Sequence, residues 1–599
     1  MFHTENNTEN NNIAAKIFKI ITNNNELQNF ISVESKNFTE IDTLILTNCN
    51  DIIFLPESIG KLHNLIKLYI NFCNKFTHMP SSIGNLHALT HLYIEKCVNL
   101  THLPDSIGNL HTLISLMIKF CNSLTHLPES IGNLRSLITF YIKSCNSLTH
   151  LPDSFCNLNK LEKFHIEGYD NEITHLPQNI GNLESLLELS ITYCNALTHL
   201  PESIGNLLAL QTFEIKYCNK LTHLPESFGN LLALKTFNIY ICNKLTHLPE
   251  SFGNLSALTT FDIQFCDELT HFPESFGNLN VLTTLEIQFC NELTHLPESI
   301  GNLQSMTKFN ISNCDNLTNT FLPESIGMLH SLTKLEIFNC NNLTQLPDSC
   351  GNLHSLTTLY INNCNNLKQL PDSIGNLSAL ITLVVSECNK LKHFPDSIGN
   401  LCSITTLKIS ECNTLKNLPN SIGQLQTLIS ININNCNNLK TFPDSIGNLQ
   451  AITTLKINEC NILKNLPDSI CKLYTLTSII IHNCNNFKQL PESIGNLQAI
   501  TTLVVNNCNN FTHFPDSIGN LYSLTLLDVA NCNKIKNTVL PNSICFCKNL
   551  QKIYISNINI LPPSMILLEK LNYICITSEY NMYIENINTM RALWEKQIM

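Results

Sequence analysis

The sequence predicts an α/β solenoid: a right-handed superhelix with a parallel β-sheet on its concave side and 3-10 or short helical turns on its convex side. Three observations predict it. A 24-residue unit recurs from about residue 41 to about residue 560. Each unit opens on a short apolar alternation, such as Leu92-Tyr93-Ile94. Each closes on a turn marked by proline and glycine, such as Leu103-Pro104-Asp105-Ser106-Ile107-Gly108. A fixed period in this range signals stacked units, none of which buries its apolar face alone.

The strand half comes first in each unit. Leu92 and Ile94 alternate with His91, Tyr93 and Glu95, so the first pair faces inward and the second set outward. Successive copies have only each other to pair with, which gives a parallel sheet. A cysteine follows each strand. Cys49, Cys73, Cys97, Cys121 and Cys145 fall 24 apart, as do Cys194 to Cys314 and Cys340 to Cys532. Counting that slot, with Tyr169 and Ile558 as substitutes, gives 22 repeats. In the turn half, proline suits the first position of a helical turn, and the carboxylate after it sits near the positive end of that turn's dipole. Glycine permits a positive φ and close stacking. The phase slips after Tyr169, Cys314 and Cys532 fall beyond the strand, where a bulge is absorbed on the rim.

The run Leu-x-x-Leu-x-Ile-x-x-Cys-Asn-x-Leu resembles the leucine-rich repeat, in the version with cysteine at the usual asparagine slot. The continuation Leu-Pro-x-Ser-Ile-Gly-Asn-Leu is similar to repeats of plant intracellular disease-resistance receptors and Ras-group leucine-rich repeat proteins. The resemblance implies a sensing or recognition module. Those receptors also carry a nucleotide-binding domain, and this chain has no Gly-x-x-x-x-Gly-Lys-Ser/Thr loop.

The ends need caps. Residues 1–12 read as a disordered Asn-rich tail. Ile13, Ile17, Ile20 and Ile21 share a helical face, so 13–40 reads as an N-terminal helical cap. The solenoid occupies 41–575. Residues 576–599 read as a C-terminal helical cap, with Ile584, Ile587, Met590 and Trp594 on one stripe.

Composition narrows the function. Net charge is -12, and the residue after the repeat proline is Asp or Glu in 17 copies. An acidic column argues against nucleic acid, which needs a basic stripe. No stretch of 18 apolar residues suggests a membrane span, and Met1 to Asn12 lacks an apolar signal region. An intracellular, cytoplasmic, monomeric protein is expected. Of 27 cysteines, 20 share the post-strand slot. A metal array or redox ladder is one reading; buried, reduced thiols are the other, favoured by the pattern-locked slot. Ten histidines, His78 to His295, precede the repeat proline by two. They read as a copied rim ladder, because all point the same way and do not converge on a metal. No catalytic cluster, cofactor site or metal site emerges.

If the scaffold is fixed, specificity lies in outward positions. The residue before the cysteine reads Tyr193, Tyr217, Ile241, Phe265 and Phe289 in one stretch, and is mostly Asn or Glu from Asn313 onward. Tyr193, Tyr217, Tyr240, Phe265 and Phe289, with Glu214, Asp262 and Glu286 beside them, form the expected partner-binding patch. The same rings could instead stack on one another and stabilise the sheet. The function expected is a non-enzymatic scaffold or recognition module that binds a protein partner on its concave face. A spacer without a single partner is the alternative, as is the substrate-recognition part of a ubiquitin-ligase or signalling complex.

Overall fold

A computed structural model of the chain describes residues 17–33, 41–168, 173–318, 321–537, 540–556, 561–576 and 582–584. It divides into two units, Met1–Leu282 and Thr283–Met599. Among the described residues the first unit holds eleven strands, from Ile17–Ile21 to Thr260–Gln264, each parallel to the next. The second holds thirteen parallel strands, from Thr284–Gln288 to Tyr573–Ile576. A final strand, Met582–Ile584, runs antiparallel to its neighbour. Five-residue 3-10 turns alternate with the strands, as in Glu202–Asn206 and Asp444–Asn448. Each unit is therefore a solenoid of the expected kind.

Register follows from the repeat. Leu92 lies opposite Leu68 and Leu116, and Ile94 opposite Ile70 and Ile118. The phase slips leave it intact, with Phe164 facing Leu189, Phe309 facing Leu335 and Leu527 facing Ile553. A one-residue slip in the strand would expose the whole apolar set, so the extra residues are absorbed outside it. Leu92, Ile94, Leu407 and Ile409 are all buried. In the first unit a phenylalanine spine joins the layers, with ring centroids 5.5 Å apart for Phe213 and Phe237 and 5.7 Å for Phe237 and Phe261.

The turn half departs from expectation in two respects. The proline precedes the turn in an extended conformation, at φ -70° and ψ 156° for Pro225, and does not occupy its first helical position. Its fixed φ aims the chain into the turn. Glycine is required for proximity alone: among the described residues none has positive φ. A Cβ at Gly229 would lie 2.2 Å from the Ser251 carbonyl oxygen of the next repeat. Cysteine replaces this glycine at Cys156 and Cys471, and the turn that follows each shrinks to three residues, Ile180–Asn182 and Ile494–Asn496. At Cys545 it does not, and the next turn, Pro563–Leu567, keeps five.

The acidic column has a structural role. Its carboxylates reach forward to cap the next turn, where the first amides lack partners. Ser251 N–H donates to Glu226 Oε2 at 3.1 Å and Ser82 N–H to Glu57 Oε2 at 2.9 Å. Hydrogen bonds from Ser82 hold the Glu57 carboxyl below its usual range.

The N-terminal segment is a correction. Ile17–Ile21 is a strand paired with Ile41–Thr47, and the helix is Asn24–Val33. The isoleucines that mimic a helical face extend the sheet by one rung, because an open parallel edge offers them hydrogen bonds that an isolated turn does not. Ile13 lies outside the described residues, as do Tyr169, Ile558, Ile587, Met590 and Trp594; Ile584 is described as the last residue of the antiparallel strand.

Candidate partner-binding face

The strand carries outward residues at its first, third and fifth positions. In Thr212–Lys216 these are Thr212, Glu214 and Lys216, each half-buried beside buried Phe213 and Ile215. Tyr217 comes next and is no longer strand. Its φ is 54°. Twenty non-glycine residues in this slot lie between 50° and 58°, including Tyr193, Tyr217, Ile241, Phe265 and Phe289. The column before the cysteine is therefore a left-handed corner, and four of the five aromatic residues of the expected patch stand on it. Tyr240 alone stands inside a strand, at the end of Thr236–Tyr240.

The corner has a definite purpose. It swings the chain inward so that the next residue, the cysteine, enters the core, while its own N–H continues the ladder. Tyr217 N–H donates to the Tyr240 carbonyl at 2.8 Å, and Asn435 N–H to that of Asn458 at 2.8 Å. Asparagine tolerates this conformation, whereas a β-branched or bulky residue there is an outlier. The amide-rich run Asn313, Asn339, Asn363, Asn435, Asn483 and Asn507 thus has a backbone explanation. The bulky residues of the first unit, and Phe289 of the second, are the exceptions.

Contacts between rings offset part of that cost. Tyr193 and Tyr217 stack with centroids 4.1 Å apart and planes at 6°. Lys216 Nζ lies 4.8 Å from the Tyr240 ring centre and 2.5 Å from Glu214 Oε1. Ser190 Oγ donates to Glu214 at 3.1 Å. The Tyr240 hydroxyl donates to Asp262, which also accepts from Gln264 Nε2 at 3.0 Å. Tyr193, Tyr217, Tyr240 and Phe265 are half-buried, so they present ring edges and part-faces where fully exposed rings were expected. Phe289 and Glu286 belong to the second unit. There Glu286 pairs with Lys308 at 2.5 Å and accepts from Gln288 at 3.3 Å.

The cysteine slot is sealed. Cys97, Cys218 and Cys412 have no exposed surface, and each thiol donates to the carbonyl two residues back, at 3.7, 3.5 and 3.4 Å. All described cysteines are free thiols, and Cys402 alone among them is exposed. Burial pushes the Cys364 and Cys412 thiols up to about 12.

The histidine column lies at the rim, where each Nδ1 meets the preceding threonine hydroxyl, 2.9 Å for Thr125 and His126. His102 and His126 stack at 6.3 Å with planes at 4°. Their rings stay parallel and do not converge. Among the described residues no three His, Cys, Asp or Glu side chains gather as a metal site.

One feature of the second unit has no counterpart in the expectations. The residue after the cysteine forms an asparagine ladder from Asn341 to Asn533. Asn389 Nδ2 donates to Asn365 Oδ1 at 2.7 Å, Asn461 to Asn437 at 2.9 Å and Asn509 to Asn485 at 2.6 Å, with the intervening rungs alike. The repeated Cys-Asn pair was the available signal.

A family model described as a leucine-rich repeat region matches residues 229–342, 324–434 and 431–529, together half of the chain. No curated protein matches it. Similar solved structures include a plant peptide hormone receptor, RGFR1, in complex with RGF2. It is 20% identical, covers 92% of this chain and 86% of its own, and has a TM-score of 0.42. A Leptospira interrogans repeat protein is 22% identical over 81% of this chain and 100% of its own, with a TM-score of 0.44. A TDR receptor is 21% identical over 87% and 86%, also at 0.44.

Proposed function

The chain belongs to the leucine-rich repeat family, and on that premise we propose that it is a non-enzymatic recognition module binding a protein partner on the strand face of its solenoid. One observation carries the reading. In the first unit Tyr193, Tyr217 and Phe265 occupy left-handed corners that disfavour them, beside Tyr240, Glu214 and Asp262. Strain kept at several neighbouring positions points to a use for those side chains. Aromatic anchors are also what interface cores select, and the hydrogen-bonded carboxylates beside them suit a polar rim. Phe289 and Glu286 supply the same chemistry in the second unit. Likeness to intracellular disease-resistance and Ras-group repeats, and an intracellular setting, form part of the same reading. Among the described residues no helix is long and apolar enough to cross a membrane.

The test uses a partner recovered by affinity purification and the purified full chain. Tyr217→Ala and Phe265→Ala should each weaken binding about thirtyfold, the effect of ~2 kcal/mol at a hot spot. Asn435→Ala should bind as wild type. Wild-type affinity in both aromatic variants, with loss in Asn435→Ala, would place the contact surface elsewhere. The stacking of Tyr193 on Tyr217 supports a second reading, in which the rings only stabilise the sheet. Lower stability with unchanged partner affinity would be its signature.

A further inference from the structure

From the second repeat onward, the turn before the repeat proline carries threonine through the first unit and into the second, as in Thr77, Thr222, Thr246 and Thr344. Six successive repeats of the second unit replace it with lysine: Lys368, Lys392, Lys416, Lys440, Lys464 and Lys488. All six are exposed, and none forms an ion pair among the described residues. Backbone hydrogen bonds align them as rungs. Lys440 N–H donates to the Lys416 carbonyl at 3.0 Å and Lys488 N–H to that of Lys464 at 2.8 Å. Bridges at Asn417–Thr441 and Asn465–Gln489 hold the following residues in the same register. On a chain of net charge -12, this is a continuous basic column.

We propose that this lysine column docks the acidic face of an α-helix from a partner protein, carrying about one Asp or Glu per turn. Pitch selects a helix. Rungs spaced as in a sheet lie about 4.8 Å apart, so six ammonium groups span about 24 Å. A helix offers one carboxylate per 5.4 Å turn, and about 16 residues cover that span. The mismatch accumulates to about 3 Å over five intervals, within reach of lysine's flexible four-carbon stem. Alternate side chains of an extended peptide repeat every ~6.7 Å and drift by about 9 Å over the same distance. Phosphates on one strand of a B-form duplex advance only ~3.4 Å per nucleotide along the helix axis and drift by about 7 Å. Charge narrows the choice further. Four residues beyond five of these lysines lie Asp372, Asp396, Asp444, Asp468 and Glu492. A broad polyanion or an anionic membrane would meet that acidic column, whereas a single helical stripe clears it. The Gln, His, Asn and Thr residues next to the lysines, such as Gln369 and Asn417, supply neutral hydrogen-bonding groups.

Fluorescence anisotropy on the purified full chain at low ionic strength tests this. The probe is a stapled, fluorescein-labelled helical peptide of about 18 residues with one glutamate per turn. The controls are a stapled peptide of equal composition with its glutamates clustered at one end, and a double-stranded oligonucleotide. The striped peptide should bind, should weaken with salt, and should outbind both controls by about fivefold or more. Lys416→Glu/Lys440→Glu/Lys464→Glu should reduce its affinity more than about tenfold, and the corresponding Lys→Gln triple by a smaller factor. Far-UV circular dichroism checks the fold of both triples. No binding, equal binding of the clustered peptide, tighter binding of the oligonucleotide, or wild-type affinity in a folded triple variant would each overturn the proposal.

Discussion

Ile241 is the most anomalous residue of the left-handed column. It is β-branched, and its φ is 54°. Left-handed backbone costs an L-residue about 1–2 kcal/mol, and asparagine least among residues with a side chain. Ile241→Asn should therefore raise stability by about 1 kcal/mol, read as a higher urea midpoint. A lower midpoint would mean that packing of the isoleucine outweighs its strain. The cysteines make a second prediction at this scale. Burial pushes Cys364 and Cys412 up to about 12 and Cys436 up to about 11, while an unfolded thiol titrates near ~8.5. Above that lower value the unfolded chain releases protons that the folded chain retains. The stability these thiols contribute is thus complete below about pH 8.5 and is lost as pH rises toward their folded values, by up to about 1.4 kcal/mol per thiol per pH unit. Urea midpoints should fall steadily from pH 8.5 to 10.5. In native alkylation followed by mass spectrometry, Cys402 should label first and Cys97, Cys218 and Cys412 slowly.

At the scale of the element, the turns stack because a glycine is missing its Cβ. Gly229→Ala places that atom 2.2 Å from the Ser251 carbonyl. Overpacking of this kind costs about 1–3 kcal/mol. Faster amide exchange in Glu226–Asn230 and Glu250–Asn254 than elsewhere in the first unit would show that the strain stays between neighbours. The asparagine ladder should respond by position. Asn437 donates to Asn413 and Asn435 and accepts from Asn461, whereas among the described residues Asn533 only donates, to Asn509. Asn437→Ala breaks two rungs and leaves half-buried partners unsatisfied, for about 1–3 kcal/mol. Asn533→Ala should cost about half as much. Equal effects would show that the ladder is a consequence of stacking and adds nothing to it.

For the whole molecule, stability of a solenoid is close to a sum of repeat and nearest-neighbour terms. Leu92 and Leu407 are fully or almost fully buried in the strands of the two units. Either change to alanine should cost about 2–5 kcal/mol through transfer and cavity. Hydrogen exchange should rise in the flanking repeats and stay unchanged several repeats away. Uniform acceleration along the chain would mean long-range cooperativity that nearest-neighbour coupling does not contain.

Period, strand alternation and the sealed cysteine slot were legible in the sequence, because an inward residue repeated at one phase has no other place to go. Leu92, Ile94 and Cys97 needed no tertiary knowledge. The outward columns were legible as columns but not as conformations. Whether Tyr217 ends a strand or turns a left-handed corner depends on where the chain must bend to bury Cys218, and neither side chain announces that. The strand at Ile17–Ile21 was missed for a related reason. Its spacing fits a helix, and only a waiting sheet edge at Ile41–Thr47 decides otherwise. The glycine's role, the forward-capping carboxylates and the asparagine ladder were likewise decided by contact between repeats. The sequence by itself determined which residues recur together. The tertiary structure decided what each recurrence does, because a side chain repeated every 24 residues meets its own copy only once the turns are stacked.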